Sequence, residues 1–416
     1  MKTVGLITEY NPFHNGHQYH ISKAKELTGS DSVIVVMSGN FVQRGTPAIM
    51  PKSVRTECAL LSGADLVIEL PVCYSTGSAE YFATGAVALL DHLGCVDSIC
   101  FGSECGELTP LEYVADILSH EPPEYEELLQ KYLKVGDSFP KARQKALYQY
   151  LYEHSNTYPG FSLYDFEEIL SNPNNILGIE YLKALNKLQS TITPYTIQRT
   201  GSGYHDTHLG HEFSSASAIR QEINSIDLIQ KYIPQNAFSV IEREQNKSFP
   251  VYSNDLSLLL KSILLYETPE SLTKYVDVNP DLANRIYNHL NDYQNFEQFC
   301  DLLKTKELTR SRISRALLHI TLRIRKEDFS DYYTNGIIFY IHVLGFRKDN
   351  TELLSMIKRT CDIPLLTTSA EKRSIIGYGK NMLKSDIIAS NLYYSVVAEK
   401  FSTLYKNELN RQITIV

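Results

Sequence analysis

The chain has no tryptophan, no C-x-x-C pair and no apolar run of the roughly 18 residues that a membrane helix needs. Its seven cysteines, Cys58, Cys73, Cys95, Cys100, Cys105, Cys300 and Cys361, are scattered, so the ligand framework of a structural zinc site is missing and no metal ligands are expected. Several sit in apolar stretches such as Asp97-Ser98-Ile99-Cys100-Phe101, where a thiol is a small buried hydrophobe, a pattern that suits a reducing compartment. Val4 to Ile7 is the only apolar run before Glu9, too short for a secretory h-region. The expectation is a cytoplasmic protein with no membrane partner. Positive charge is not in excess either: 40 Lys and Arg against 48 Asp and Glu give a net −8. That excludes a wholesale basic nucleic-acid binder while leaving room for a local basic face. The 28 tyrosines read mainly as amphipathic residues at the core edge, not as stacking platforms. At 416 residues the chain can fill two or three cores.

What is present begins at residue 3. Val4 to Ile7 reads as a buried strand, Asn11-Pro12 breaks it, and His14-Asn15-Gly16-His17 opens a helix with Ile21, Ala24 and Leu27 on one face. Backbone N–H groups and the positive end of a helix dipole then point at one spot, where an anion is stabilised. Gly16 permits close approach, and two imidazoles can donate to phosphate oxygens as charge builds on them. A bare H-x-x-H is equally a metal pair or a surface feature; the preceding strand and the internal glycine favour a nucleotide.

The first hundred residues alternate in period. Val4–Ile7, Val33–Met37, Asp65–Leu70 and Ser98–Phe101 are strand-like, with helical patterns near 16–28, 52–63 and 79–92 between them. Such alternation predicts an α/β fold with a parallel sheet, whose ligands bind at the carboxyl ends of the strands. Thr8 to His17, Ser38 to Gly45 and Gly102-Ser103-Glu104 all fall there. Residues 110–155 read as a polar helical insertion, Ser171 to Asn175 caps a helix over Ile176–Leu185, and Pro194–Arg199 reads as a last strand before a Ser215–Ile226 helix. A boundary is expected between about 230 and 250. Beyond it the pattern is mostly helical, over Leu256–Leu265, Pro280–Leu290, Phe296–Leu303, Ser311–Arg325 and Ser385–Leu404, with a strand-like pair at Gly336–Val343 and Ile363–Thr367.

Residues 304–326 hold Lys304, Lys306, Arg310, Arg312, Arg315, Arg323, Arg325 and Lys326 against one acid, Glu307. At 100° per residue, Arg312, Arg315, His319, Arg323 and Lys326 share one face beside an apolar stripe of Ile313, Leu317, Ile320 and Ile324. Such a face is either a phosphate-backbone track or a solvated surface paired with nearby acids.

The helix-opening constellation resembles the H-x-G-H signature of the nucleotidylyltransferase superfamily, and Ser215-Ala216-Ser217-Ala218-Ile219-Arg220 resembles its second landmark, with Ala216 where a hydroxyl is usual. Together with Ser38-Gly39-Asn40-Phe41-Val42-Gln43-Arg44-Gly45, Asn174-Asn175-Ile176-Leu177-Gly178 and Gly201-Ser202-Gly203-Tyr204-His205, the chain resembles the bacterial tRNA(Met) cytidine acetate ligase family along its whole length. The resemblance implies a Rossmann-like nucleotidylyltransferase domain over 1–235 that binds ATP, and a mostly helical tRNA-binding domain over 250–416. It implies a ligase that activates acetate with ATP and Mg²⁺, releases pyrophosphate, and acetylates the exocyclic amine of the wobble cytidine of elongator tRNA(Met).

His14, His17 and Arg220 are then the catalytic residues, Arg220 on the outer phosphates. The nucleotide would be lined by Ile7, Thr8, Glu9, Tyr10, Asn11, Pro12, Phe13, His14, Asn15, Gly16, His17, Gln18, Tyr19 and His20, with backbone of Ile7–Tyr10 against the adenosine, and by Gly102, Asn175, Arg199, Thr200 and Ser217. The eight basic residues of 304–326 would contact tRNA. Lys52 and Arg55 either add charge to the site or are solvated, and the Ser38–Gly45 loop would floor a small acetate pocket. Two other readings stand beside this one. A nucleotidylyltransferase acting on a small metabolite would leave the helical half without a role, and acetate-dependent ATP–pyrophosphate exchange separates it. A non-catalytic nucleotide- or RNA-binding protein would bind ATP without releasing pyrophosphate.

Overall fold

The computed structural model describes residues 1–137, 139–156, 169–199 and 214–416. Five strands form its centre: β1 (Thr3–Thr8), β2 (Ser32–Ser38), β5 (Leu66–Leu70), β6 (Ser98–Ser103) and β7 (Thr193–Gln198). They are parallel in the order β5-β2-β1-β6-β7, with Thr3 opposite Ser32 and Thr8 opposite Met37. Every residue of β2, the run Ser-Val-Ile-Val-Val-Met-Ser, is buried, as a central strand covered on both faces must be. Val33, Val35 and Val67 pack toward Ile21, Cys58 and Ile241 on one face; Ile34, Val36 and Ile68 pack toward Leu89 and Tyr181 on the other. A short antiparallel ribbon, β3 (Phe41–Val42) with β4 (Thr46–Pro47), stiffens the loop after β2.

The sheet continues with chain from far downstream. β8 (Ile341–Phe346) adds antiparallel to β5, and β9 (Leu365–Leu366) and β10 (Thr414–Ile415) pair parallel with β8. The strand-like pair read near 336–343 and 363–367 is therefore present, displaced by a few residues, and joins the nucleotide-type sheet. The stretch about 230–250, where a boundary is expected, holds the helix Gln235–Glu244, which packs on the helix Lys52–Leu61. Arg243 bridges to Glu57, and Cys58 Sγ donates to the Ala237 carbonyl. One apolar core also runs from Leu89 and Tyr181 through Phe296, Ile313 and Leu317 to Tyr393. Sheet and core thus both draw on residues from either side of 235–250.

Helices follow the expected spans in the first half: Asn15–Thr28, Lys52–Leu61, Ala79–His92 and Pro173–Leu188. Two end early. The helix read over 215–226 covers only Ala216–Gln221, and that read over 311–325 is Arg310–Leu322, because Arg323 takes a left-handed φ of 58°. Gly45 has a φ of 75°, and a Cβ there would lie 2.3 Å from the backbone nitrogen of Arg315, so glycine lets the β2 loop touch this downstream helix.

Candidate active site

The chain leaves β1 through Tyr10, at a φ of 48°, and a cis Asn11–Pro12 bond. His14 then caps the helix Asn15–Thr28. Its Nδ1 accepts the N–H of Gly16 at 3.1 Å, while its own N–H donates to His17 Nδ1 at 3.2 Å. The two rings stack 3.7 Å apart. Because each Nδ1 is an acceptor, each ring proton sits on Nε2, and both imidazoles are neutral donors. Desolvation in the crowded rim, helped by Arg199 and Arg220, takes His14 down to about 3. Desolvation with His14 and Arg199 holds His17 well below its usual value, and desolvation with Arg199 takes His20 down to about 4.

The expected ring of free backbone N–H groups is not what the helix start presents. The N–H of Gly16 is taken by His14 Nδ1, and those of His17 and Gln18 by the His14 carbonyl. The donors aimed outward are the imidazoles. Asn15 is fixed through Nδ2 to the Lys231 carbonyl at 2.9 Å, and Asn11 accepts the N–H of Ile49 at 2.8 Å.

Arg220 meets this loop from the helix Ala216–Gln221. Ser215 Oγ caps that helix by accepting the N–H of Ala218 at 3.0 Å. Arg220 Nη1 donates to the Asn11 carbonyl at 2.5 Å, and Nη2 to Ser217 Oγ at 2.9 Å. The two hydroxyls with work to do flank Ala216, which explains why alanine is tolerated there.

Across the rim, Gly102 lies in β6 opposite Ile197, and a Cβ on it would stand 3.2 Å from the Arg199 side chain. The N–H of Arg199 donates to the Ser103 carbonyl at 2.9 Å. Asn175 is wholly buried, its Oδ1 accepting the N–H groups of Glu104 and Cys105 at 2.8 and 3.2 Å. Asn175 Nδ2, a donor, and His20 Nε2 are buried and have no hydrogen-bond partner among the described residues. Glu104, which sequence reasoning did not single out beyond its loop, accepts from Asn174 Nδ2 and the Asn175 N–H at 2.6 and 2.9 Å and so caps the helix Pro173–Leu188. Its signal was a carboxylate after a strand matched to an Asn-Asn helix start. Thr200 and Gly201 to His205 lie outside the described residues.

Lys52 and Arg55 are neither solvated nor placed to reach a phosphate. Arg55 is fully buried and donates to the carbonyls of Glu9, Ser38, Gly39 and Met50, tying the ends of β1 and β2 together. Lys52 Nζ lies 2.7 Å from both Glu69 oxygens and 2.8 Å from Glu408, and His342 Nδ1 lies 2.7 Å from Glu69. Burial works against the Lys52 charge, but Glu408 and Glu69 reverse this and raise its pKa; burial likewise opposes the Glu69 charge, and Lys52 and His342 hold it well below the carboxylate range. Glu69, His342 and Glu408 are the one trio among the described residues close enough to share a metal ion, and the ammonium of Lys52 already lies against both of its carboxylates.

The basic stretch does not form one face. His319 is fully buried between the carbonyls of Thr76 and Val276, at 3.0 and 3.2 Å. Arg315 pairs with Asp277 at 2.8 Å, Arg310 with Asp301 at 2.8 Å and with Glu297, and Arg325 with Glu327 at 3.6 Å. Lys326 Nζ donates to the Val278 carbonyl. Lys304, Lys306, Arg312 and Arg323 form no ion pair among the described residues. The wheel failed because the helix stops at Leu322 and because the acids that answer it come from other elements.

Parallel strands in the order β5-β2-β1-β6-β7, with a neutral histidine pair at the first helix and an arginine fastened to the same loop, define a nucleotidylyltransferase of the HIGH type. The HIGH Nucleotidyl Transferase family model matches residues 1–408. The tRNA(Met) cytidine acetate ligase of Thermoanaerobacter sp. (strain X514) is 43% identical over 94% of this chain and 95% of its own. That of Alkaliphilus metalliredigens is 38% identical over 98% and 97%. The crystal structure of Thermotoga maritima TmcAL in its apo form I superposes with a TM-score of 0.92 at 33% identity over 100% of both chains. The same protein bound with alpha-thio ATP gives 0.88 at 34% identity over 95% of both. The chain belongs to the tRNA(Met) cytidine acetate ligase family. No helix among the described residues is long and apolar enough to cross a membrane.

Proposed function

We infer that this chain joins acetate to the exocyclic amine of the wobble cytidine of elongator tRNA(Met), at the expense of ATP. The observation that carries the reading is the neutral His14–His17 pair at the helix start, in a chain alike over nearly its whole length to ligases of that name. Acetate is already a nucleophile at neutral pH. The first step therefore needs alignment and neutralisation of charge at the α-phosphate more than a base. Nε2–H of His14 and of His17 donates to the α-phosphate oxygens as the fifth bond forms, and pyrophosphate leaves toward Arg220. Asn175 Nδ2, Gly102 and Arg199 line the adenosine side. Acetate enters from the Ser38–Gly45 loop.

Mg²⁺ accompanies the phosphates as ATP's counter-ion. Both oxygens of Glu104 are engaged in capping, the Glu69–His342–Glu408 trio is held by Lys52, and one unshared oxygen of Glu9 is no multi-ligand cage, so the rim suits an ion that arrives with the phosphates. Of the basic residues, Lys304, Lys306, Arg312 and Arg323 hold charge in reserve for tRNA phosphates, whereas Arg310, Arg315 and Arg325 reach them only by sharing with their acids. On this reading the enzyme meets its tRNA in the cytoplasm. The test is nucleoside mass spectrometry of bulk tRNA after incubation with the protein, ATP, Mg²⁺ and acetate. N4-acetylcytidine that needs both ATP and acetate is expected; acetylation from acetyl-CoA alone overturns the ligase reading.

A further inference from the structure

Two carboxylates stand on the strand ends beside the signature, Glu9 after β1 and Glu104 after β6. Glu104 has both oxygens engaged at the start of the helix Pro173–Leu188. Glu9 has one. Its Oε1 accepts the N–H of Gln43 at 2.9 Å, and its carbonyl is held by Arg55, so the carboxylate is fixed in place. Oε2 has no partner among the described residues, in a side chain that stays partly exposed. The same loop reaches the other way: Ser314 Oγ donates to the Gly45 carbonyl at 2.8 Å, seating it on the helix that carries Arg312. Gln43 thus ties Glu9 to a loop that rests on the helix carrying Arg312. Tyr181 approaches Glu9 from the helix Pro173–Leu188, where burial, with the charge of Glu9 adding, pushes the phenol up.

The acceptor that must enter this space is an aromatic amine. Its lone pair is delocalised into the pyrimidine ring, it presents two N–H donors, and it has to lose a proton once the nitrogen bonds to carbon. A carboxylate is the side chain that matches a cytosine amine, since it accepts and never donates. We propose that the free oxygen of Glu9 receives the exocyclic amine of the acceptor cytosine and takes its proton during acetyl transfer, an assignment that rests on the acetate-ligase reading above. The amine nitrogen bonds to the acetyl carbonyl carbon. The carbon–oxygen bond to phosphate breaks and its electron pair leaves with AMP. The displaced proton goes to Glu9 and from there to water.

Glu9→Gln isolates this role. The amide oxygen can still accept the N–H of Gln43, and the backbone that lines the adenosine is untouched, but the group no longer takes a proton. The rate of the first-turnover pyrophosphate release with ATP, Mg²⁺ and acetate, and the rate at which N4-acetylcytidine forms when tRNA is then added, are measured on the full chain. Loss of a general base predicts a fall of about 10²–10⁴ in the acetylcytidine rate, so that this rate relative to the first-turnover pyrophosphate rate should fall at least about tenfold. Glu9→Asp, which restores a carboxylate, should recover part of that ratio. An unchanged ratio in Glu9→Gln overturns the proposal, whether both products persist or both vanish together. A wild-type protein that releases pyrophosphate and makes no acetylcytidine sinks the ligase reading instead.

Discussion

His17, in the helix that follows β1, and His342, at the amino end of β8 opposite Glu69 near the carboxyl end of β5, are both held below the ordinary imidazole range by desolvation. Around His342 the polar groups close on one another. Lys52 answers Glu69 and Glu408, Ser390 answers Glu408, and Asn40 joins Ser390 to the N–H of Lys52. Around His17 the inner ring nitrogens are spent on backbone, while the outer nitrogens, Asn175 Nδ2 and one oxygen of Glu9 find no protein partner among the described residues. The residue types overlap; the difference is whether capacity is left over. Around His342 the charges are spent on one another, with His342 Nδ1 2.7 Å from Glu69 and Arg411 3.6 Å from Glu408; around His17 donors and an acceptor face outward unspent, which is what a site requires.

The comparison is most severely tested at Lys52. Lys52→Met should strip two buried carboxylates of their counter-charge and cost about 3–5 kcal/mol of stability. Denaturant unfolding measures it, and a change within error would mean the cluster is not the clamp described.

Next comes the rim. His14→Ala or His17→Ala should cut acetate-dependent pyrophosphate release by about 10²–10³, because their outer donors act on charge that exists only in the transition state, while loss of the capping bonds costs only about 0.5–2 kcal/mol of stability. A melted variant with intact chemistry per folded molecule would reverse the contrast.

A smaller effect is the pH response. His14 falls from an ordinary value near 6.5 to about 3 on folding. The unfolded chain therefore binds the extra proton first, so this contribution to stability is complete above about 6.5 and is lost as pH falls toward 3. The acid-side slope of unfolding free energy should be shallower in His14→Gln than in wild type. The adenylation rate should show no histidine titration between about pH 6 and 8.

The smallest effect separates the arginines. Arg312→Glu and Arg323→Glu should each reduce the salt dependence of tRNA binding by about one unit of slope and leave Tm alone. Arg315→Glu should lower Tm as well, since it sets two acids against each other at Asp277. Equal behaviour of all three would restore the single basic face read from the helical wheel.

What sequence made visible was local. The strand ends, the H-x-G-H helix start and the loops after β1, β2 and β6 are legible because periodicity and turn residues act within a few positions. Partners chosen across the chain were not legible. Nothing within ten residues of Lys52 announces Glu408, nothing near Arg315 announces Asp277, and the apolar neighbours of His319 look the same whether that face is wet or covered. The antiparallel docking of β8 on β5 escaped for the same reason, since an edge strand advertises its own pattern and not its neighbour. Glu9 was within the motif, yet its unshared oxygen is visible only once Gln43 has claimed the other.

The arrival of β8 also orders events at the ribosome. β5 is made by residue 70 and has no neighbour on its outer side until residues 341–346 emerge. At roughly 5–20 residues per second, that edge waits on the order of 15–50 seconds. An unpaired edge of Leu66 to Leu70 invites pairing with other chains. Newly made protein should therefore depend on chaperones that shield the half-built sheet, and release from them should coincide with the emergence of the downstream strand.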